Sequence, residues 1–324
     1  MRPVLAVIYV CMCIGNWPAV KPSQQSLCCV RPEKLTVQRI GNGKWPIYVV
    51  DDALCPNILR LVQSTYAVHH TEFYVDENIG FPGIMASASH LAAWSKPESE
   101  AKDLFLRIAA GEHLTCLVDA FNQLLDHPAP FNQQHVDRLL QDAATSLDTA
   151  GIARFSALNR RPHSSTIHID EDNYVINIHV LPGNEDTGTS FWRTKGRPNG
   201  TTSVEYCGSI YGEKEIDEDS AAREHCIRAV EVSLKRLSKL REAGKRPLPP
   251  FEKDVTGVWE KYHHVLTKVN RAIIYDGDLP HAAYISPKSF NRLGKGLTTR
   301  LMLSSFVEVR QQDGAESMSF NIEL

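Results

Sequence analysis

Four sequence marks are missing from this chain: a Gly-x-Ser-x-Gly elbow, a His-Glu-x-x-His pair, a phosphate-cradling glycine loop and a Gly-x-Gly-x-x-Gly turn. Their absence removes the usual signatures of serine hydrolases, zincins, P-loop nucleotidases and dinucleotide-binding domains. A charge excess is missing too. Thirty-five Lys and Arg stand against 38 Asp and Glu, a net charge of −3, which leaves no electrostatic footprint for nucleic acid or an anionic membrane. Internal repeats, low-complexity tracts and a Cys-x-x-Cys pair do not occur. The uncharged run from Pro3 to Gly15 is too short for a comfortable membrane span.

What is present is a constellation. His168-Ile169-Asp170 is followed far downstream by His281, in the run Tyr275-Asp-Gly-Asp-Leu-Pro-His281, and then by Arg300, which opens the apolar run Leu301 to Val307. Residues i and i+2 of a strand point to one side, so His168 and Asp170 can approach one ion while Ile169 faces away. Two imidazoles and one carboxylate are the ligand set of a mononuclear non-haem Fe(II) oxygenase. They leave coordination sites open for a bidentate 2-oxo acid and O2. A closed structural zinc site would instead take four ligands, usually with cysteine.

The surroundings have strand and turn character. Tyr174 to Leu181 is a β-branched run, followed by a Pro/Gly/Asn turn and then Thr189-Ser-Phe-Trp192. Val269 to Tyr275 reads as a second buried strand, and Asp276-Gly-Asp278 turns the chain just before His281. Arg300 and Ser304 fall on one face of the next strand, where a hydroxyl can assist a guanidinium in holding a carboxylate.

These residues resemble the 2-oxoglutarate- and Fe(II)-dependent dioxygenases, in particular the branch similar to prolyl 4-hydroxylases. Four further stretches carry the likeness: Ile47 to Leu54 leading into a helix, Phe81-Pro-Gly-Ile-Met85, Gly188-Thr-Ser-Phe-Trp192, and Asn270-Arg-Ala-Ile-Ile-Tyr275. The resemblance covers most of residues 45 to 310. It implies a mainly β fold with flanking helices, a double-stranded β-helix (jelly-roll or cupin-like barrel). It also implies His168, Asp170 and His281 as iron ligands and Arg300, with Ser304, as the anchor of the 2-oxoglutarate carboxylate. Fe(II), 2-oxoglutarate and O2, with ascorbate as an accessory reductant, are the implied cofactors. The implied outcome is hydroxylation of a protein side chain or small metabolite with release of succinate and CO2. Arg300 lies nineteen positions beyond His281, farther than in similar enzymes, and the loop-like Ser286 to Gly296 accounts for the spacing; Lys288 and Arg292 in that loop are rivals for the role. Two other classes remain open: a non-catalytic jelly-roll binding module, and a cupin-like metalloenzyme that does not use 2-oxoglutarate. A buried Arg300 discriminates, because neither needs a cation placed for an acidic co-substrate.

The other histidines are not assigned to a metal. His179 shares its strand phase with Val175, Asn177 and Leu181 and is expected on the other sheet face. His163 sits in a basic loop, and the pairs His69-His70 and His263-His264 diverge on any regular element.

At 324 residues and 43% hydrophobic, the chain can bury the core of one elaborated domain. Residues 1–20 resemble a signal-peptide h-region with a single Arg before it, or else an N-terminal apolar segment; 21–324 read as a single domain with helical support at 95–150 and an insertion at 193–262. Pro56 to Val68 places Ile58, Leu61, Val62 and Tyr66 at helical intervals. The run from Leu114 to Leu125 does the same, and Val136 to Ala143 marks a shorter helix. A charged helix near 218–242 occupies the insertion, which flanks metal-bearing strands and is expected to form a lid, a substrate platform or a surface decoration. Without Cys11 and Cys13, six cysteines remain, enough for three disulfides or for free thiols. Asn199-Gly-Thr201 is a glycosylation sequon if the chain enters the secretory route.

Overall fold

β-Branched and aromatic residues cluster where strands form, and the described residues of this computed structural model hold ten. They are β1 (Leu35–Ile40), β2 (Trp45–Asp51), β3 (Gly83–Ser87), β4 (Arg154–Leu158), β5 (Asn173–His179), β6 (Thr187–Thr194), β7 (Trp259–Leu266), β8 (Arg271–Asp276), β9 (His281–Ile285) and β10 (Leu301–Glu308). The structure describes residues 26–40, 45–73, 83–125, 134, 136–137, 154–158, 167–170, 173–181, 187–194, 216–244, 256–285 and 300–308. Residues 1–20, His163, Asn199, Cys207, the loop rivals Lys288 and Arg292, and most of the expected 136–143 helix lie outside them.

Two antiparallel sheets result. A seven-stranded sheet runs β1-β2-β8-β5-β10-β4-β3, and a three-stranded sheet runs β7-β6-β9. An isolated bridge between His168 and His281 adds a short fourth member beyond β9. Strands β4, β7 and β9 carry no strong strand signature of their own. Each is short or studded with charge, and forms because a neighbouring strand offers its ladder.

Four helices cover one face of the large sheet: α1 (Pro56–His69), α2 (Ala88–Trp94), α3 (Glu100–Ala109) and α4 (Glu112–Leu124). Pro56 occupies the first turn of α1, while Ser87 and Ser99 cap α2 and α3 by accepting from the backbone N–H groups of His90 and Lys102. Gly111, at φ 80°, makes the left-handed turn between α3 and α4. The expected stripes Ile58, Val62, Tyr66 and Leu114, Leu117, Val118, Phe121 pack with Ile176, Ile178, Leu301 and Leu303. Each such side chain contributes about 1.5–3 kcal/mol on burial. The opposite face of the large sheet packs on the small one: Ile47, Val49, Val175, Ile273 and Tyr275 share a cluster with Phe191 and Val265.

The insertion is a long connection between the paired strands β6 and β7, and its helix, α5 (Ile216–Glu242), begins close to where charge patterning placed it. Ala229 and Val230 of α5 pack with Trp192, Trp259, Ala282, Ile167 and Ile169. Ile167 and Ile169 flank His168 and face away from it, so this helix braces the small sheet from behind. α5 thus lies on the outer face of the small sheet, and residues 195–215 and 245–255 of the insertion, on which the expectation of a lid or platform also falls, lie outside the described residues.

Cys28 is bonded to Cys116 of α4, and Cys29 to Cys55 just before α1. The vicinal pair thus ties the N-terminal segment to two helices. No described helix is long and apolar enough to cross a membrane.

Candidate metal centre and a buried cation

The turn between β8 and β9 sets the site. Asp276 accepts from the Asp278 N–H through Oδ1 (3.0 Å) and from the Leu279 N–H through its carbonyl (3.1 Å), as the Asp-Gly-Asp run predicts. The chain then enters β9 at His281, whose N–H donates to His168 O (2.9 Å) while His168 N–H donates to His281 O (3.0 Å). Asp170 is held two residues on by its N–H to Gly277 O (2.9 Å).

Three side chains converge. One ligand atom from each of His168, Asp170 and His281 lies within 4.8 Å of the others, a group that could hold a metal ion. His281 Nε2 is 3.1 Å from Asp170 Oδ2, and His168 Nε2 is 3.9 Å from Asp170 Oδ1. His281 Nδ1 lies 2.9 Å from the Leu279 carbonyl, which can only accept, so Nδ1 carries a proton and Nε2 is left to face the carboxylate. Side-chain exposure runs from 43% at His168 through 23% at Asp170 to 5% at His281, so the cluster opens to solvent on the His168 side. Burial alone would raise Asp170, but its hydrogen bond to His281 and the charges of His168, His281 and Arg154 overcome this and hold the carboxyl below its usual range.

Deeper in the same interior lies a row of polar groups that sequence reading did not assemble. Register pairs Met302 with His179 and Ser304 with Asn177, so Arg300, Met302 and Ser304 share a face with these two residues. His179 therefore points between the sheets, beside Arg300, rather than to the far face expected for it. The phase of two was read correctly, but which face was the interior depended on the partner strand. Tyr275 links this row to the metal ligands. Its ring lies 4.9 Å from that of His281, and its hydroxyl accepts from Asn177 Nδ2 (3.3 Å). Burial and the Asp170 charge push its phenol well up, with Arg300 and Asn177 opposing.

Arg300 is 2% exposed. Its Nη2 reaches the Met302 sulfur at 3.5 Å, while Nε and Nη1 meet no hydrogen-bond partner among the described residues. The ring nitrogens of His179 and Oδ1 of Asn177 are likewise without a partner there. Burial lowers the Arg300 guanidinium to about 10, leaving it charged at neutral pH, and pushes His179 well down, with the Arg300 and Arg271 charges adding to this. A buried charge with no counter-ion costs several kcal/mol, and none stands beside Arg300 among the described residues.

Among the described residues no other histidine joins the cluster. His69 pairs with Glu72 and His263 with Gln38.

No protein-family model matches the chain, and comparison with curated proteins finds no matching relative.

Proposed function

We propose that this protein is an Fe(II)- and 2-oxoglutarate-dependent dioxygenase of hydroxylase type, built on a double-stranded β-helix. The fold reading draws on strand order: β4-β10-β5-β8 in one sheet faces the His168 bridge, β9, β6 and β7 in the other, so successive strands from β5 to β10 alternate between sheets except at the β6–β7 hairpin. The observation that carries the function is Arg300: a buried guanidinium with two unpartnered nitrogens, in the same interior as a His-Asp-His cluster.

The donor set fits a divalent ion with open positions. There are three ligand side chains, none of them cysteine, and the His281 tautomer is set by a backbone carbonyl. His168, Asp170 and His281 would hold the metal, and Arg300 would take the distal carboxylate of 2-oxoglutarate in a paired hydrogen bond. With both bound, the metal and 2-oxo acid would let O2 oxidise an unactivated C–H bond, one oxygen atom going to succinate as CO2 leaves and the other to the hydroxylated product. The chain's own share is positioning and water exclusion. Tyr275 and Asn177 wall the space between the metal ligands and Arg300, Phe191 packs edge-on against Tyr275 (5.1 Å), and solvent reaches the ligands from the side of His168 and Asp170 while His281 is buried. Ser304 faces this space in register with Asn177, where its hydroxyl is available to the same ligand. The two disulfides fit folding in an oxidising compartment.

Anaerobic titration of Fe(II)-loaded protein with 2-oxoglutarate tests this reading through the weak visible absorption of the 2-oxo acid on ferrous iron. Wild type should show the band and His168→Ala should lose it. Arg300→Ala should weaken 2-oxoglutarate binding far more than iron binding. A wild-type protein that binds Fe(II) but gives no band would end the assignment.

A further inference from the structure

Most of the described arginines have an acid or a carbonyl to hold them, Arg60 and Arg236 through the Pro56 and Thr256 carbonyls. Arg271 and Lys268 share Asp51, Arg193 meets Glu260, Arg107 meets Glu112, and Arg31 and Lys34 meet Asp52. Arg300 is one exception, and Arg154 is another. Arg154 opens β4, where register sets it directly opposite Ser304 of β10 and Ser87 of β3. Facing residues of an antiparallel pair share a side, so Arg154 projects into the same interior as Ser304 and Asn177. Phe155, the next residue, packs with the helices on the far face, as strand alternation requires. The Arg154 side chain is half-buried, with its guanidinium carbon 5.8 Å from the centre of the Phe306 ring. Along β10, Phe306 lies two residues from Ser304 on the side away from Arg300, and its partner on β5 is Val175, which pairs onward with Tyr275. Stacking on Phe306 therefore turns the guanidinium toward the end of the interior where Tyr275 and Asp170 stand. Its charge is among those acting on the Asp170 carboxyl. No hydrogen bond or ion pair to Arg154 is present among the described residues.

We propose that Arg154 anchors an anionic group of the primary substrate, and that this protein acts on carboxylate-bearing molecules or acidic peptide side chains. The proposal rests on the dioxygenase reading for what happens after binding, but not for the binding itself. A guanidinium stacked on an aromatic ring keeps its planar fork free and pre-oriented, which suits a carboxylate better than a flexible ammonium would. Arg300 and Arg154 then divide the work by depth: the buried one takes the co-substrate, and the half-buried one takes a group arriving from solvent. Signals for this in the sequence were slight, because Arg154 sits outside every motif and only the register of β4 on β10 brings it inward.

The test uses the full chain loaded with Mn(II) and saturated with 2-oxoglutarate, so that the Arg300 position is filled. Binding is measured calorimetrically for matched probes that differ only in charge: capped tripeptides carrying Glu or Asp against their Gln or Asn counterparts, and short monocarboxylates against their amides. Wild type should prefer the carboxylate member by about tenfold or more, the value of one charge-assisted hydrogen bond. Arg154→Gln should erase that preference, Arg154→Lys should restore part of it, and affinity for 2-oxoglutarate should stay within about twofold in both. Equal binding of acid and amide by wild type, or a preference that survives Arg154→Gln, overturns the proposal. A parallel loss of 2-oxoglutarate binding also overturns it, by assigning Arg154 to the co-substrate. If wild type binds no 2-oxoglutarate, the dioxygenase reading fails separately, and the same probe pairs on the Mn(II)-loaded protein still decide the role of Arg154.

Discussion

His168 and His281 exchange both of their backbone hydrogen bonds, at 2.9 and 3.0 Å, and their rings lie 4.3 Å apart. Directly opposed residues in an antiparallel pair share a face, so two ligands separated by more than a hundred positions become neighbours through register alone. Asp170 follows because it lies two residues along from His168, and the Leu279 carbonyl sets the His281 tautomer. The cluster is thus pre-formed by backbone.

A pre-formed cluster should bind metal without a folding transition. Excess Mn(II), or Fe(II) under anaerobic conditions, should raise the unfolding midpoint; linkage gives about 2.7 kcal/mol at a free metal concentration one hundred times Kd. Asp170→Ala and His281→Ala should lose this stabilisation while remaining folded by circular dichroism. Metal protection of similar size in Asp170→Ala would place the ion elsewhere.

Arg300 should be a liability to the ligand-free fold. Replacing a buried, uncompensated guanidinium by a side chain of similar length and no charge removes a desolvation cost, so Arg300→Met should be as stable as wild type or more stable by about 1–4 kcal/mol in urea unfolding. The same variant should lose 2-oxoglutarate binding. A large destabilisation would mean that Arg300 already has its counter-charge within the protein.

His179 should make the ligand-free protein sensitive to mild acid. Its folded value is pushed well below that of an ordinary histidine by burial and by the Arg300 and Arg271 charges. Between those two values the unfolded chain takes up a proton that the folded chain refuses, so stability falls as pH drops below about 6.5, by up to about 1.4 kcal/mol per pH unit, and is independent of this residue above it. His179→Gln should show a shallower decline between pH 6.5 and 5. Identical slopes for the two proteins would remove His179 from the account.

Gly188 pairs with Leu266 on one side and Tyr284 on the other, and a Cβ there would fall inside the Val265 carbonyl oxygen. Gly188→Ala should therefore destabilise by about 1–3 kcal/mol and weaken metal binding by shifting β6 against β9. A change within about 0.5 kcal/mol would show that the sheet yields at this point without cost.

Much of the candidate site could be read from the chain. His168, Asp170, His281 and Arg300 were singled out by residue type, by the i, i+2 rule and by the turn before His281, and they occupy one interior. Helices α1 and α4 were legible from apolar periodicity, and β8 from its apolar run, just before which Asn270 at φ 61° clamps Leu54 through both its amide atoms (2.8 and 2.7 Å). Strands β4, β7 and β9 were not legible, and Arg154 passed unnoticed with β4; Tyr275 and Asn177, on β8 and β5, were read as strand residues without a place in the site. A strand with mixed polarity acquires its face from the strand beside it, and that partner lies far away in sequence.

By itself, the sequence determined the chemical inventory and the phase along each strand: which side chains share a side, where a proline can start a helix, and where Asp-Gly-Asp must turn. The tertiary structure alone decided which side is inside. It set His179 beside Arg300 instead of on the outer face, laid α5 on the outer side of the small sheet, and left one guanidinium buried with no acid beside it among the described residues. The reason is that a period of two fixes relative orientation within a strand. Register and counter-charge are properties of strand pairs and packed sheets, and no single segment carries them.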